Sequence, residues 1–213
     1  MKTIFITAFL TLLVSCRKEN SKEIFQPSAN PDRSAAQTVS APADSSDPAD
    51  SIRKEYNRLH ALLEAKKLTT KGFTYNCNEE PSGEVTFYSD KGEIKVIRHS
   101  YAEHSHFSAV EQYFIKNGKP FFIFREEAVW SFDGGTSEKP ITKDDITETR
   151  IYIQNGKPIR CLEKTYSIRS DGSEKPDPAK IPGKEIPCTI EGLMKTYELL
   201  IKNKDQKEKK QCL

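Results

Sequence analysis

Three histidines crowd one polar connection of the chain, His99, His104 and His106. Imidazole is a common ligand of zinc and copper. If this segment is extended, His104 and His106 point to the same side, because alternate residues of a strand share a face. The spacing therefore permits a metal site. A polar hairpin loop needs no metal, however, and the sequence contains no obvious second cluster of ligands.

Other residues that could do chemistry lack the spacing that catalysis needs. Adjacent acidic residues on a strand point to opposite faces, so they cannot act together on one bond. The serines near the histidines lack the glycine frame of a nucleophile elbow, and no glycine-rich phosphate loop occurs. We therefore expect that the protein is not an enzyme. The acidic pairs are Glu79 and Glu80, Glu126 and Glu127, and Asp144 and Asp145, and the serines are Ser100, Ser105 and Ser108.

The amino-terminal segment has the parts of a secretory signal peptide. Met1 and Lys2 form a short positive region, and an apolar run follows from Ile4 to Val14. This run is shorter than the roughly 20 residues that a membrane-spanning helix needs, so it is typical of a signal peptide core. The sequence predicts that residues 1–15 are a signal peptide that is removed.

The apolar run ends in Leu13-Val14-Ser15-Cys16. These residues resemble the lipobox of bacterial lipoproteins, and the resemblance covers only the beginning of the chain. It implies that Cys16 carries a diacylglycerol and usually an acyl chain, which together suffice for stable membrane attachment. Arg17 follows, rather than the aspartate that retains lipoproteins at the inner membrane of enteric bacteria, which favours the outer membrane. An ordinary secretory signal is the alternative interpretation.

Residues 16–47, which follow the signal peptide, are rich in Ser, Ala, Pro, Asp, Asn and Gln, with few large apolar residues besides Ile24 and Phe25. Such a stretch cannot bury enough apolar surface to offset the entropy lost on ordering. We expect a disordered tether that reaches about 30 Å and lets the domain stand off the bilayer. A recognition peptide around residues 24–27 is the alternative for this stretch.

The tetrapeptide Asn-Gly-Lys-Pro occurs twice, at residues 117–120 and 155–158, each time between strand-forming residues. Asn-Gly is a strong hairpin signal, because both central residues of a type I′ turn need a positive φ. The repeat predicts two tight hairpins. The structural turn residues are Asn117, Gly118, Asn155 and Gly156.

The pattern after the tether predicts one α+β domain at residues 48–204. Asp47 and Pro48 signal the start of a helix, and alternating segments from Phe73 onward predict strands. Residues 121–124 are apolar throughout, so both faces of that strand should be covered. An amphipathic helix capped by Thr189 closes the domain. We predict an antiparallel β-meander of about six to seven strands with a helix before it and an amphipathic helix after it.

Two further stretches are predicted to lack regular structure. The segment after Arg169 contains four prolines, which cannot donate backbone hydrogen bonds. Residues 205–213 are lysine-rich and are expected to form a charged, solvated tail. The formal net charge is only +2, with basic and acidic residues interleaved. This does not form the basic footprint of a nucleic-acid-binding protein, so we expect no nucleic-acid partner.

Four cysteines remain once Cys16 is lipidated. An even number in an exported chain is typical of disulfides, although four cysteines allow three connectivities. Cys161 in the last long strand and Cys188 before the closing helix could come within the roughly 7 Å that a bridge needs between Cα atoms. Cys212, in the charged tail, is expected to be free or to pair with more than one partner. Unpaired buried thiols are the alternative to the Cys161–Cys188 bridge.

Two functions from different classes fit these observations. The first is a membrane-anchored envelope lipoprotein whose non-catalytic β-sheet domain binds or scaffolds an envelope protein or a glycan. The second is a metal-binding lipoprotein that uses His99, His104 and His106. Neither needs a cofactor beyond the covalent diacylglycerol and acyl chain on Cys16.

The lipobox resemblance makes a direct prediction about Cys16. Cys16→Ala removes the acceptor thiol, so we expect an uncleaved or mislocalised precursor that does not incorporate radioactive palmitate. Metabolic labelling of the parent and variant chains measures this. Normal labelling of the variant contradicts the lipoprotein interpretation.

Overall fold

The computed structural model describes residues 47–78, 80–206 and 209–213. The predicted signal peptide, Cys16 and the tether up to residue 46 lie outside the described residues. The elements, in chain order, are α1 (Pro48–Glu64), β1 (Thr69–Asn76), β2 (Ser82–Asp90), β3 (Glu93–Glu103), β4 (Phe107–Lys116), β5 (Lys119–Gly135), β6 (Pro140–Gln154), β7 (Lys157–Arg169), a 3-10 turn (Pro178–Lys180), β8 (Lys184–Glu185) and α2 (Glu191–Lys202).

The strands of the described part form one sheet in the order β1 to β8, and each pairs antiparallel with the next along the chain. This confirms an antiparallel sheet with one helix before it and one after it. The sheet has eight strands rather than six to seven. The added strand is β8, in the proline-rich segment. Lys184 and Glu185 can pair with β7 because they retain their backbone N–H groups between Pro182 and Pro187.

The two Asn-Gly turns have the same backbone geometry. The φ angles are 53° and 71° at Asn117 and Gly118, and 53° and 75° at Asn155 and Gly156. Positive φ at both central residues is what a type I′ turn requires. The register also shifts beside each turn, between Phe114 and Ile115 in β4 and between Tyr152 and Ile153 in β6. The repeated tetrapeptide therefore builds the same hairpin twice.

Each face of the sheet packs against one helix. Side chains on the α1 face form a core with Ile52 and Leu59 of α1, and side chains on the α2 face form a second core with Tyr197 and Leu200 of α2. In β5, Phe122 is buried in the first core and its neighbour Ile123 in the second. The prediction that this strand is covered on both faces is confirmed.

The start of α1 is fastened to the sheet by its capping residue. Asp47 Oδ1 accepts a hydrogen bond from the Ala49 amide at 3.0 Å, and Asp47 Oδ2 accepts one from Arg160 Nη1 at 2.7 Å. A capping side chain satisfies an orphan N–H of the first turn, and the second bond ties that turn to β7. The predicted start of this helix is confirmed.

The closing helix begins later than the sequence indicates. The N-cap position of α2 is held by Ile190, which makes no side-chain capping bond, so the prediction that Thr189 caps this helix is wrong. The Ile190 side chain packs against the α2-face core instead. Apolar burial outweighs the capping preference at this end.

Across the described ranges, no helix has the length and apolar content needed to cross a bilayer.

The last residues return to the sheet instead of forming a solvated tail. We call residues 209–213 the strap. The Lys210 amide donates to Thr74 O at 2.9 Å, and the Asn76 amide donates to Lys210 O at 3.2 Å, so the strap lies along the outer edge of β1. Cys212 is bonded to Cys77, contrary to the expectation that it is free or pairs with more than one partner. A second disulfide joins Cys161 and Cys188, with Cα atoms 5.4 Å apart.

The hairpin geometry predicts a stability cost at the turn glycines. A Cβ added at Gly118 or Gly156 meets no atom within 4 Å, so a valine there is strained by its backbone alone. We expect Gly118→Val and Gly156→Val each to cost about 1–3 kcal/mol of the free energy of unfolding, or about 2–4 °C in melting temperature per kcal/mol.

Gly192→Ala provides the matched control. Its added Cβ also meets open space, but Gly192 lies in α2 and has no positive φ. This variant should melt at or above the parent temperature. Thermal unfolding curves of both valine variants that overlay the parent curve contradict the type I′ assignment.

Candidate functional site

The three histidines lie in three different environments. His99 is buried on the α2 face, 4% exposed, whereas the side chain of His104 is 86% exposed in the turn between β3 and β4. His106 stacks on Trp130 with ring centroids 4.0 Å apart. The segment is not extended here, because His104 and Ser105 have φ angles of 54° and 49° and form a turn. In the described part, no group of three or more His, Cys, Asp or Glu side chains could hold a metal ion.

A buried carboxylate, Glu111, lies at the centre of a group of polar side chains on the α2 face. The register places His99, Glu111 and Arg125 side by side on β3, β4 and β5. Tyr113 Oη donates to Glu111 Oε2 at 2.6 Å, and Tyr101 Oη donates to Oε1 at 3.3 Å. His99 Nδ1 and Arg125 Nε each lie 3.6 Å from a Glu111 oxygen, within ion-pair range but beyond hydrogen-bond distance. We call these five residues the Glu111 cluster.

The cluster keeps its carboxylate ionised and its phenols protonated. Burial alone raises the pKa of Glu111, but His99, the Tyr113 hydroxyl and the charge of Arg125 outweigh it, so the pKa lies below its usual value. Burial raises the pKa of Tyr113, and the Glu111 charge raises it further. Burial also raises the pKa of Tyr75, whose hydroxyl lies 2.9 Å from His99 Nε2. The arrangement supplies hydrogen-bond donors around a fixed charge and no phenolate nucleophile.

A cleft of about 210 Å³ opens onto this cluster between the sheet and α2. We call it the His99 cleft. Two nitrogen atoms near it, His99 Nδ1 and Arg125 Nε, are buried and have no hydrogen-bond partner. Such a group carries a desolvation cost of about 1–3 kcal/mol. The walls of the cleft are Tyr75, Cys77, Pro81, His99, Tyr101, Glu103, Glu111, Thr196, Leu199 and Leu213.

An exposed aromatic pair, Trp130 and Phe132, lies toward the carboxyl-terminal end of β5. Phe132 is 67% exposed, more than any other large apolar side chain of the described part. Its ring meets Trp130 edge-on, with centroids 5.4 Å apart and an interplanar angle of 86°. Trp130 in turn donates from Nε1 to Ser105 O at 2.6 Å and from its amide to His106 O at 3.0 Å. The turn between β3 and β4 therefore holds Trp130, against which the Phe132 ring packs.

The aromatic pair lies far from Asp47, the first residue that the structure describes. Asp47 is bonded to Arg160, which the register places in line with Tyr152 and Phe122. Phe132 lies roughly 33 Å further along the same strand as Phe122, at about 3.3 Å per residue. Asp47 and the aromatic pair therefore lie toward opposite ends of the sheet.

A second group of buried charges has a structural role on the α1 face. Lys164 Nζ lies 3.1 Å from Glu148 Oε2 and donates to Pro178 O at 2.7 Å. Tyr166 Oη donates to Glu148 Oε1 at 3.0 Å. These contacts fasten the proline-rich segment to β6 and β7, so this group already has its partners.

Sequence reasoning missed both Glu111 and Phe132. Glu111 could have been noticed, because it occupies the inward position between Ala109 and Tyr113 in an otherwise apolar row. Phe132 had a weaker signal, since it alternates with Trp130 next to a glycine pair and resembles an ordinary strand end. Its exposure depends on how far both helices extend over the sheet.

Comparisons with known protein families, with curated proteins and with solved structures find no match for this chain. Its function must therefore be inferred from the chemistry of its own surfaces.

The depressed pKa of Glu111 predicts how stability depends on pH. A carboxylate whose folded pKa is lowered stabilises the fold above its unfolded value of 4.5, and this stabilisation is lost as the pH falls through the folded value. Glu111→Gln should cost about 1–3 kcal/mol at pH 7, because it leaves the Arg125 guanidinium without its counter-charge and the Tyr113 hydroxyl without its ionised acceptor. The loss should shrink as the pH falls below 4.5.

Denaturant titrations of the parent and Glu111→Gln chains at several pH values measure this difference. Glu174→Gln is the control, since Glu174 is exposed and lies in the loop after β7. A difference between the Glu111→Gln and parent chains that stays constant from pH 7 to pH 3 contradicts the assignment.

Proposed function

We propose that this chain is a lipid-anchored, non-catalytic binding protein of the bacterial cell envelope, and that Phe132 is the residue it inserts into a partner protein. The single observation that carries the proposal is that the Phe132 side chain, 67% exposed, packs edge-on against the Trp130 ring. The two rings form an adjoining aromatic patch, and exposed apolar patches are typical of interaction sites.

The support of Phe132 favours tight binding. Association has to overcome the entropy lost when an interface side chain becomes fixed, and a side chain that is already fixed loses less. Trp130 is held by hydrogen bonds to Ser105 and His106 and presents its ring to Phe132. Aromatic anchors near the centre of an interface commonly account for most of its binding free energy.

The shape of the pair favours a protein partner over a glycan. A sugar ring stacks on a flat and open aromatic face. One face of Trp130 is covered by His106, and Phe132 stands at 86° to the Trp130 ring, so the two rings form a step. A step with a projecting phenyl ring fits an apolar pocket, and proteins present such pockets.

The proposed location depends on the amino-terminal residues. Diacylglycerol and acyl chains on Cys16 attach the protein to the membrane, with the outer membrane as the favoured site. Residues 17–46 give the domain about 30 Å of reach. With the chain entering at Asp47, the opposite end of the sheet is available to a partner in the envelope.

The Glu111 cluster lacks the pKa shifts usual for catalytic groups. A catalytic tyrosine or carboxyl group usually has its pKa shifted toward neutrality. Here the pKa of Glu111 is shifted down and that of Tyr113 is shifted up, so both move away from neutrality.

Site-specific photo-crosslinking in intact cells tests the anchor residue. A photoreactive phenylalanine analogue in place of Phe132 should give one discrete adduct with an envelope protein. Extra unmodified chain should suppress this adduct, and extra Phe132→Ala chain should not, because the truncation should cost about 2 kcal/mol of binding free energy, or about 30-fold in affinity.

Ile159 is the matched control position. It is 39% exposed and lies at the opposite end of the sheet, in β7. The analogue in place of Ile159 should give no adduct of the same mass. Identical adducts from both positions, no adduct from position 132, or suppression of the adduct by envelope glycans overturns the proposal of Phe132 as a protein-binding anchor.

A further inference from the structure

The two disulfides differ in how easily another thiol can reach them. Cys161 is 1% exposed beneath α2, and its partner Cys188 is half-buried. Cys77 is half-buried and Cys212 is exposed. Thiol–disulfide exchange requires a thiolate to reach a sulfur atom. The Cys77–Cys212 bond is therefore the accessible one.

The accessible disulfide fastens the strap over the His99 cleft. Leu213 of the strap packs against the α2-face core and lines the cleft. Cys77 lines the same cleft from the end of β1. Beyond the disulfide, the strap is held by its two backbone bonds to β1 and by a hydrogen bond from Lys210 Nζ to Asn203 Oδ1 at 2.6 Å.

The noncovalent contacts that these described residues make add little net free energy to the covalent bond. The backbone bonds merely replace hydrogen bonds to water, and Leu213 is only half-buried. Fixing the residues of the strap costs conformational entropy at each one. The disulfide reduces that cost, because it keeps the strap beside β1.

We propose that Cys77–Cys212 is a site of thiol–disulfide exchange with a protein dithiol of the Cys-x-x-Cys class, and that its reduction releases the strap and opens the His99 cleft. This inference is independent of the function proposed for Phe132. It assigns a modification site to a different face of the molecule.

The exchange balances in two steps. A thiolate of the dithiol attacks the exposed Cys212 sulfur, the bond to Cys77 breaks, and Cys77 leaves as a thiolate that takes up a proton. The second thiol of the reductant then attacks the mixed disulfide and releases Cys212 as a thiol. Two electrons pass to this chain, and the reductant becomes a disulfide.

Release of the strap uncovers groups that are closed off in the oxidised protein. The backbone hydrogen bonds that join Lys210 to Thr74 and Asn76 break, and the edge of β1 beneath the strap becomes able to pair with an extended segment. His99 Nδ1, which has no hydrogen-bond partner, gains access to solvent. Accessibility of His99 therefore reports on the state of the disulfide.

The test treats the purified full chain with a thioredoxin-class dithiol protein and maps alkylated cysteines by mass spectrometry. We expect Cys77 and Cys212 to be reduced about tenfold faster than Cys161 and Cys188, or more. After reduction, amide hydrogen exchange at Asn76 and Lys210 should accelerate by about tenfold or more, while the amides of Phe122 and Ile123 stay protected. Equal reduction rates for the two disulfides overturn the proposal.

Carbethoxylation of histidine measures whether the cleft opens. His99 should react only in the reduced protein, while His104, whose side chain is 86% exposed, should react equally in both states and serves as the internal standard. Cys212→Ser should behave as the reduced protein without any reductant. If Asn76 stays protected and His99 stays unreactive in both reduced and Cys212→Ser chains, the strap does not gate the cleft.

Discussion

The fold depends on two adjacent strands whose neighbouring residues belong to opposite cores. Tyr113 and Phe114 in β4, and Phe122 and Ile123 in β5, are buried alternately under α2 and α1. A slip of one residue moves every such side chain to the wrong face, so both cores oppose it together. The hairpin of β4 and β5 is therefore fixed in register. Residues on this hairpin that lie far from either helix have a fixed register as well.

That register connects the core to both candidate sites. Glu111 lies two residues before Tyr113 on the same face, so the packing that buries the tyrosine also buries the carboxylate and aligns it with His99 and Arg125. Further along β5, the strand extends beyond the apolar cores, and Phe132 is left in solvent. One strand thus carries buried core residues at one end and an exposed aromatic side chain at the other. The hydrogen bonds from Trp130 to the turn between β3 and β4 give the second end its defined geometry.

The sequence predicted those features that depend on local chemistry. The Asp47 cap, the two Asn-Gly turns and the fully apolar strand at residues 121–124 are signals carried by adjacent residues, and the structure has a helix, two hairpins and a central strand at these places. Features set by distant contacts were not predictable. Cys212 pairs with a cysteine 135 residues away, and the three histidines separate because a turn interrupts their segment. The exposure of Phe132 depends on helix packing that the local sequence does not encode.

The central claim is that Phe132 stands on a rigid base, and the indole N–H of Trp130 reports on that base directly. The chain contains one tryptophan, so its indole resonance in an NMR spectrum is unambiguous. Trp130 Nε1 donates to Ser105 O at 2.6 Å, and its ring is covered by His106. The account predicts that this proton exchanges with solvent at least about tenfold more slowly than a free indole N–H. Exchange at the rate of free indole contradicts a fixed Trp130, and with it the preorganised anchor.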